Sequence, residues 1–134
     1  MIFVDTSAWL ALADSRDHDH SRAIEFHRRI LRGDFGKQVT SNYVMTETLT
    51  IVRRRLGLQP TLELAKAVRV GKEVGLFWVE PIHHNEALEL MTTHGDKDWS
   101  VTDCSSFVIM RSLGVSDAFT FDRDFAQAGF NAHP

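Results

Sequence analysis

Short apolar runs alternate along this chain with longer stretches in which apolar residues recur at helical spacing. The opening Ile2-Phe3-Val4-Asp5-Thr6-Ser7 reads as a buried strand, 2–5, that stops on a carboxylate, and an amphipathic helix (Ala8-Trp9-Leu10-Ala11-Leu12) follows at once. Further strands are predicted at 37–41, 76–80 and 117–121, with a terminal one near 129–132. Between them, Ser21 to Leu31 carries Ile24, Ile30 and Leu31 among charged residues and stops at Gly33. Asn42 to Leu56 places Met45, Leu49, Val52 and Leu56 on one helical face and ends at Gly57. Pro60 suits the first turn of a helix reaching about Val74, ahead of Gly75. A helix near 84–94 follows Val79-Glu80-Pro81, and another runs from about Val101 to Leu113 with Gly114 as its cap. Strands alternating with helices predict an α/β fold: a three-layer α/β/α sandwich around a central parallel sheet of four or five strands, as a single domain over 1–134.

Four acidic residues fall at the boundaries of these elements. Asp5 ends one strand, Asp122 ends another, and Glu47 and Asp103 open helices that follow connections at the same rim of the sheet. Open α/β sheets bind ligands outside the carboxyl ends of their strands. Each acid also has a plain structural explanation. Asp5 and Asp122 suit helix N-caps, and Ser100-x-x-Asp103 fits a capping box. Glu47 lies in the first turns of its helix, where the dipole favours it. At about 100° per residue, however, it sits only about 40–60° from Val44 and Ile51, on the edge of an apolar face. Four independent caps need no common location, whereas a metal site needs one. Gathered carboxylates are costly unless a cation neutralises them, and hard oxygen ligands suit Mg²⁺ or Mn²⁺. Thr6, Ser7 and Thr102 place hydroxyls beside the acids, where they would orient carboxylates or water. Such a site suits phosphodiester hydrolysis: one ion lowers the pKa of an attacking water, and a second stabilises the leaving oxygen.

Composition narrows the class without deciding it. With 134 residues, 43% hydrophobic and 25% charged, the chain has the make-up of an ordinary soluble domain. Its apolar runs are too short to span a bilayer, and the N-terminus lacks the features of a signal peptide. Cys104 stands alone, which excludes an internal disulfide framework and fits a reducing cytoplasm. A net charge of −3 gives no global footprint for nucleic acid, but a nuclease built on carboxylates and metal need not be basic overall.

Phe3-Val4-Asp5-Thr6-Ser7-Ala8-Trp9, Asn42-Tyr43-Val44-Met45-Thr46-Glu47-Thr48, the run from Trp99 to Phe107 and the run from Phe119 to Phe125 together resemble the PIN-domain family, and within it the VapC-type toxins of toxin–antitoxin pairs. The likeness covers essentially the whole chain. It implies that the family's acidic quartet is Asp5, Glu47, Asp103 and Asp122, with Asp124 as a helper outside the ligand set. It further implies a Mg²⁺- or Mn²⁺-dependent endoribonuclease leaving a 5′-phosphate and a 3′-hydroxyl, a small antitoxin partner, and homodimers that join larger toxin–antitoxin complexes.

Local features refine the RNA expectation. Arg53-Arg54-Arg55 is the densest basic run, and Arg54 is its candidate phosphate contact. Three adjacent helical positions cannot all face one ligand, so a solvated helix end is the stronger reading. Trp9 and Trp99, near the acids in sequence, are candidate base-stacking residues, against the usual role of such aromatics in the core. His18-Asp19-His20 lacks the further ligands of a zinc site. A haloacid-dehalogenase phosphatase would need an Asp where Ser7 stands, and no glycine-rich nucleotide loop occurs. The remaining alternative is a non-cleaving or weakly active binding partner that acts mainly within an antitoxin complex.

Overall fold

The computed structural model describes all 134 residues. Its strands β1 (Ile2–Val4), β2 (Gln38–Ser41), β3 (Val74–Phe77), β4 (Asp117–Phe119) and β5 (Asn131–His133) form one sheet in the order β3-β2-β1-β4-β5. All four pairings are parallel. Seven helices connect and flank them: α1 (Thr6–Ala13), α2 (His20–Leu31), α3 (Asn42–Leu56), α4 (Leu58–Val70), α5 (Pro81–Thr93), α6 (Val101–Leu113) and α7 (Arg123–Gln127). The parallel α/β architecture is the one expected, with five strands.

Burial follows from the sequence. Ile2, Phe3 and Val4 on the central strand are wholly buried, as a strand covered on both faces requires. Helix α2 buries Ala23, Phe26 and Ile30, spaced i, i+3, i+7 along one face. Helix α6 buries every residue from Cys104 to Met110. Phe107 meets Phe125 edge-on at 5.0 Å, and Phe119 meets Phe26 at 4.9 Å, tying both sides of the sheet into one core.

Several boundaries differ from the sequence reading. The third strand is 74–77 rather than 76–80, because its partner β2 ends where Ser41 turns to cap α3. The Val79 amide then donates to Asn42 Oδ1 at 2.7 Å, a side-chain bond that replaces the ladder. Helix α4 accordingly stops at Val70, with Gly71 in extended backbone. Helix α5 starts at Pro81, earlier than 84, because proline opens a first turn well and Glu80 with His83 forms a capping box.

The strand order positions the site. From β1 the chain steps outward through β2 and β3, then returns to lay β4 on the other side of β1. The rim between β1 and β4 is therefore the topological switch point, where crossovers diverge and leave a crevice.

Candidate active site

Asp5 follows β1 directly and Asp122 follows β4 by three residues, so the pairing of Val4 with Phe119 brings both to the switch point. The Asp5 amide continues the ladder to Phe119 O at 3.1 Å. Asp103 arrives from the first turn of α6 and Asp124 from α7. Carboxylate oxygens of Asp103, Asp122 and Asp124 all lie within 4.8 Å of one another. Asp124, expected as an outlying helper, thus stands inside the tightest group of acids. Asp5 lies outside that group, but its charge and that of Asp122 both act to raise the Asp103 pKa. Glu47 is half-buried on α3 and accepts from Thr6 Oγ1 at 2.7 Å, which places it beside the residue next to Asp5.

The capping and clustering explanations hold together. Asp5 Oδ2 caps α1 through the Ser7 amide, Asp122 Oδ1 caps α7 through the Asp124 amide, and Asp103 Oδ2 receives the Ser100 amide. Each of these bonds falls on one oxygen of its carboxylate and fixes the plane of the group. The second oxygen takes no part in the cap, so a residue can serve its helix and offer a ligand atom at once.

A hydroxyl network locks Asp5. Its Oδ2 accepts from Ser7 Oγ at 2.8 Å and from Thr120 Oγ1 at 3.0 Å. Ser7 Oγ in turn accepts from the Phe121 amide, and Thr120 Oγ1 from the Asp122 amide. The two hydroxyls therefore join the ends of β1 and β4 and hold Asp5 and Asp122 in one register. Thr120 was missed in the sequence, where only its hydroxyl near Asp122 could have signalled it. Thr102 was expected beside the acids, but its hydroxyl bonds to none of them; its carbonyl accepts from Ser105 and Ser106.

Electrostatics mark the rim as poised for a cation. Burial raises the Asp5 pKa above the ordinary value, against hydrogen bonds from Ser7, Thr6 and Thr120 that lower it. Burial raises Asp103 to about 6, with Asp5 and Asp122 adding repulsion. Asp124 is raised as well, by burial and then by Asp122 and Asp98. Converging carboxylates that resist ionisation are what a divalent ion would relieve, and their all-oxygen donor set suits Mg²⁺ or Mn²⁺.

The remaining expected contacts fall elsewhere. Trp9 is 7% exposed, and its indole donates to Thr40 Oγ1 at 3.3 Å in the interior. Trp99 is 6% exposed and lies against Phe107 and His94. Neither offers a ring face to a base, because both occupy apolar positions that the core fills. Trp78 is the exposed tryptophan, at 67%. Arg54 is exposed near the end of α3, seven residues or about 10 Å along the helix from Glu47.

With this geometry in view, the relationships of the chain are clear. Residues 2–131 match the PIN domain. The chain belongs to the PIN-domain family. It is 36% identical over 130 residues to the 23S rRNA-specific endonuclease VapC20 of Mycobacterium tuberculosis, covering 97% of this chain and 95% of that protein, in both strains CDC 1551 / Oshkosh and H37Rv. The crystal structure of M. tuberculosis VapC20, described as a sarcin–ricin loop cleaving toxin, superposes with a TM-score of 0.89 at 34% identity over 100% of both chains. FitAcB from Neisseria gonorrhoeae shares the fold at a TM-score of 0.65, with 17% identity over 100% of this chain and 97% of that one. The PIN domain thus accounts for the five-stranded parallel sheet. No helix is long and apolar enough to cross a membrane.

Proposed function

We propose that this PIN domain is a metal-dependent endoribonuclease, the toxin of a VapC-type toxin–antitoxin pair, and that its substrate is ribosomal RNA. The observation that carries the reading is the gathering of Asp103, Asp122 and Asp124 at the β1–β4 switch point, beside a hydrogen-bonded Asp5. Full-length similarity to a 23S rRNA-specific endonuclease supports the substrate class and makes the sarcin–ricin loop the first RNA to test.

On this reading Asp5, Glu47, Asp103 and Asp122 would hold the Mg²⁺ or Mn²⁺, and Asp124, which groups with Asp103 and Asp122, is close enough to contribute an oxygen. Bound there, such an ion would supply a water of lowered pKa and neutralise charge at the leaving oxygen. The chain's own task is preorganisation. Ser7 and Thr120 fix the Asp5 plane, Thr6 fixes Glu47, and the capping bonds fix Asp103 and Asp122. Groups held in place before the reaction need little reorganisation as charge develops, which is how preorganised sites lower barriers.

A protein partner belongs to the same reading. Leu58, Leu62, Trp78 and Ile82 are each more than half exposed, and Trp78 closes a hollow of about 260 Å³ with Met45, Leu49 and Leu76. Apolar surface of this kind suits a second copy or an antitoxin better than water.

The test is cleavage of ribosomes and of a sarcin–ricin hairpin by purified protein with Mg²⁺ or Mn²⁺, beside EDTA and Asp5→Asn controls. Metal-dependent cutting, lost in the variant, supports the assignment. A folded, antitoxin-free sample that cuts neither RNA under any metal condition would overturn it in favour of a pure binding partner.

A further inference from the structure

A groove of about 350 Å³ opens beside the acid cluster and shares Asp122 with it. Its walls include Thr120, Phe121, Asp122 and Arg123 after β4, and Asp19 and Arg22 at the start of α2. The Arg22 guanidinium lies over the Phe121 ring, 5.4 Å from its centroid. Arg123 is exposed and enters no ion pair. A second hollow of about 230 Å³ shares Arg22 and Pro134 with the first and reaches Arg29. Arg22 and Arg29 are two turns apart on α2, a spacing of about 10 Å.

We propose that this groove is the RNA track on one side of the cut, in which Arg22 and Arg123 bind the phosphates next to the scissile one and Arg29 extends the line along α2. The inference rests on the ribonuclease reading and adds to it the residues that seat the substrate. Asp122 belongs both to the acid cluster and to the groove wall, so a strand lying in the groove meets the acid cluster at that residue. Stacking on Phe121 holds the Arg22 guanidinium in place before RNA arrives, which reduces the rotamer freedom lost on binding. Its planar fork then meets phosphate oxygens in pairs. Arg22 also pairs with Asp19 at 3.1 Å, but the Arg22 side chain is 63% exposed. Exposed pairs of this kind contribute little, so a phosphate displaces the carboxylate readily.

The experiment measures binding of a fluorescent sarcin–ricin hairpin in EDTA, across a range of KCl, for wild type, Arg22→Gln, Arg123→Gln and the double variant. Arg69→Gln, at the opposite edge of the sheet on α4, is the control. Each groove substitution should weaken binding several-fold and reduce the salt slope by about 0.7 per lost single-strand contact. In Mg²⁺, KM for the same RNA should rise while kcat holds. Both groove arginines are exposed, and circular dichroism checks that the variants remain folded. If wild type cleaves while both variants keep its affinity, slope and KM, the track is wrong and the nuclease assignment stands. If Arg69→Gln changes the slope as much as Arg22→Gln, binding is diffuse and the track is overturned. A wild type that neither binds nor cuts this RNA or ribosomes removes both readings.

Discussion

Asp103→Asn separates the two roles that this residue combines. Asn keeps an oxygen to accept the Ser100 amide, so the capping box that opens α6 can survive. What disappears is a charge disfavoured by burial and by repulsion from Asp5 and Asp122, which raise its pKa from 3.8 to about 6. At about 1.36 kcal/mol per pKa unit this difference corresponds to an upper bound of ~3 kcal/mol, and partial exposure of the side chain reduces it to about 1–2 kcal/mol. The sign follows from proton linkage. Between about pH 4 and 6 the folded protein retains a proton that the unfolded chain has released, so metal-free stability falls as pH rises through that window. Above it the penalty is complete. In EDTA at pH 8 the Asn variant should therefore be more stable than wild type by about 1–2 kcal/mol, or about 3–8 °C in Tm for a chain of this size. The difference should shrink towards pH 4. With Mn²⁺ the order should invert, since wild type gains about 2.7 kcal/mol at a hundredfold excess over Kd while the variant has lost a ligand. Urea and thermal unfolding with and without metal measure all of this. A variant less stable than wild type in EDTA at pH 8, or a difference that is constant from pH 4 to 8, would refute the argument and leave Asp103 chiefly a cap.

Three further predictions follow from the same geometry. Thr120→Val removes the acceptor of the Asp122 amide at a wholly buried position; it should cost about 1–3 kcal/mol of stability and about 10–100-fold in Mn²⁺ affinity. Calorimetry should record both losses, and unchanged metal affinity would mean that the hydroxyl does not orient the site. Because Asp103 is raised to about 6, and Asp5 and Asp124 also hold protons more tightly than ordinary carboxylates, metal affinity should fall as pH drops through the Asp103 value. Titration in two buffers of different ionisation enthalpy should reveal proton release on binding near that pH, and its absence would contradict the raised values. Phe119→Ala empties a fully buried site against Phe26 and should cost about 3–5 kcal/mol in urea unfolding; a loss near zero would show that the two sides of the sheet are not packed through it.

Much of this protein is local and therefore legible in the sequence. The apolar run at Ile2–Val4, the helical spacing in α3 and α6, and the Ser100–Asp103 box are set by interactions within a few residues. So is the placing of Asp5, Asp103 and Asp122 at helix starts, because a short acceptor there satisfies free amides wherever it occurs, whereas Glu47 lies in the second turn of α3 and caps nothing. The length of β3 was not legible: it depends on where β2 turns into α3 and on a bond from Val79 to Asn42, 37 residues away. The fate of the tryptophans was not legible either, since burial of Trp9 and Trp99 and exposure of Trp78 depend on which faces other elements cover. Above all, strand order is a tertiary choice. Pairing β4 with β1 joins Thr120 to Asp5 across 115 residues, draws Asp124 into the acid group and lays Arg22 over Phe121. The sequence by itself determined which residues could bear the chemistry. Only the folded sheet decided which of them meet, because contacts between distant segments depend on burial and pairing across the whole chain rather than on neighbours along it.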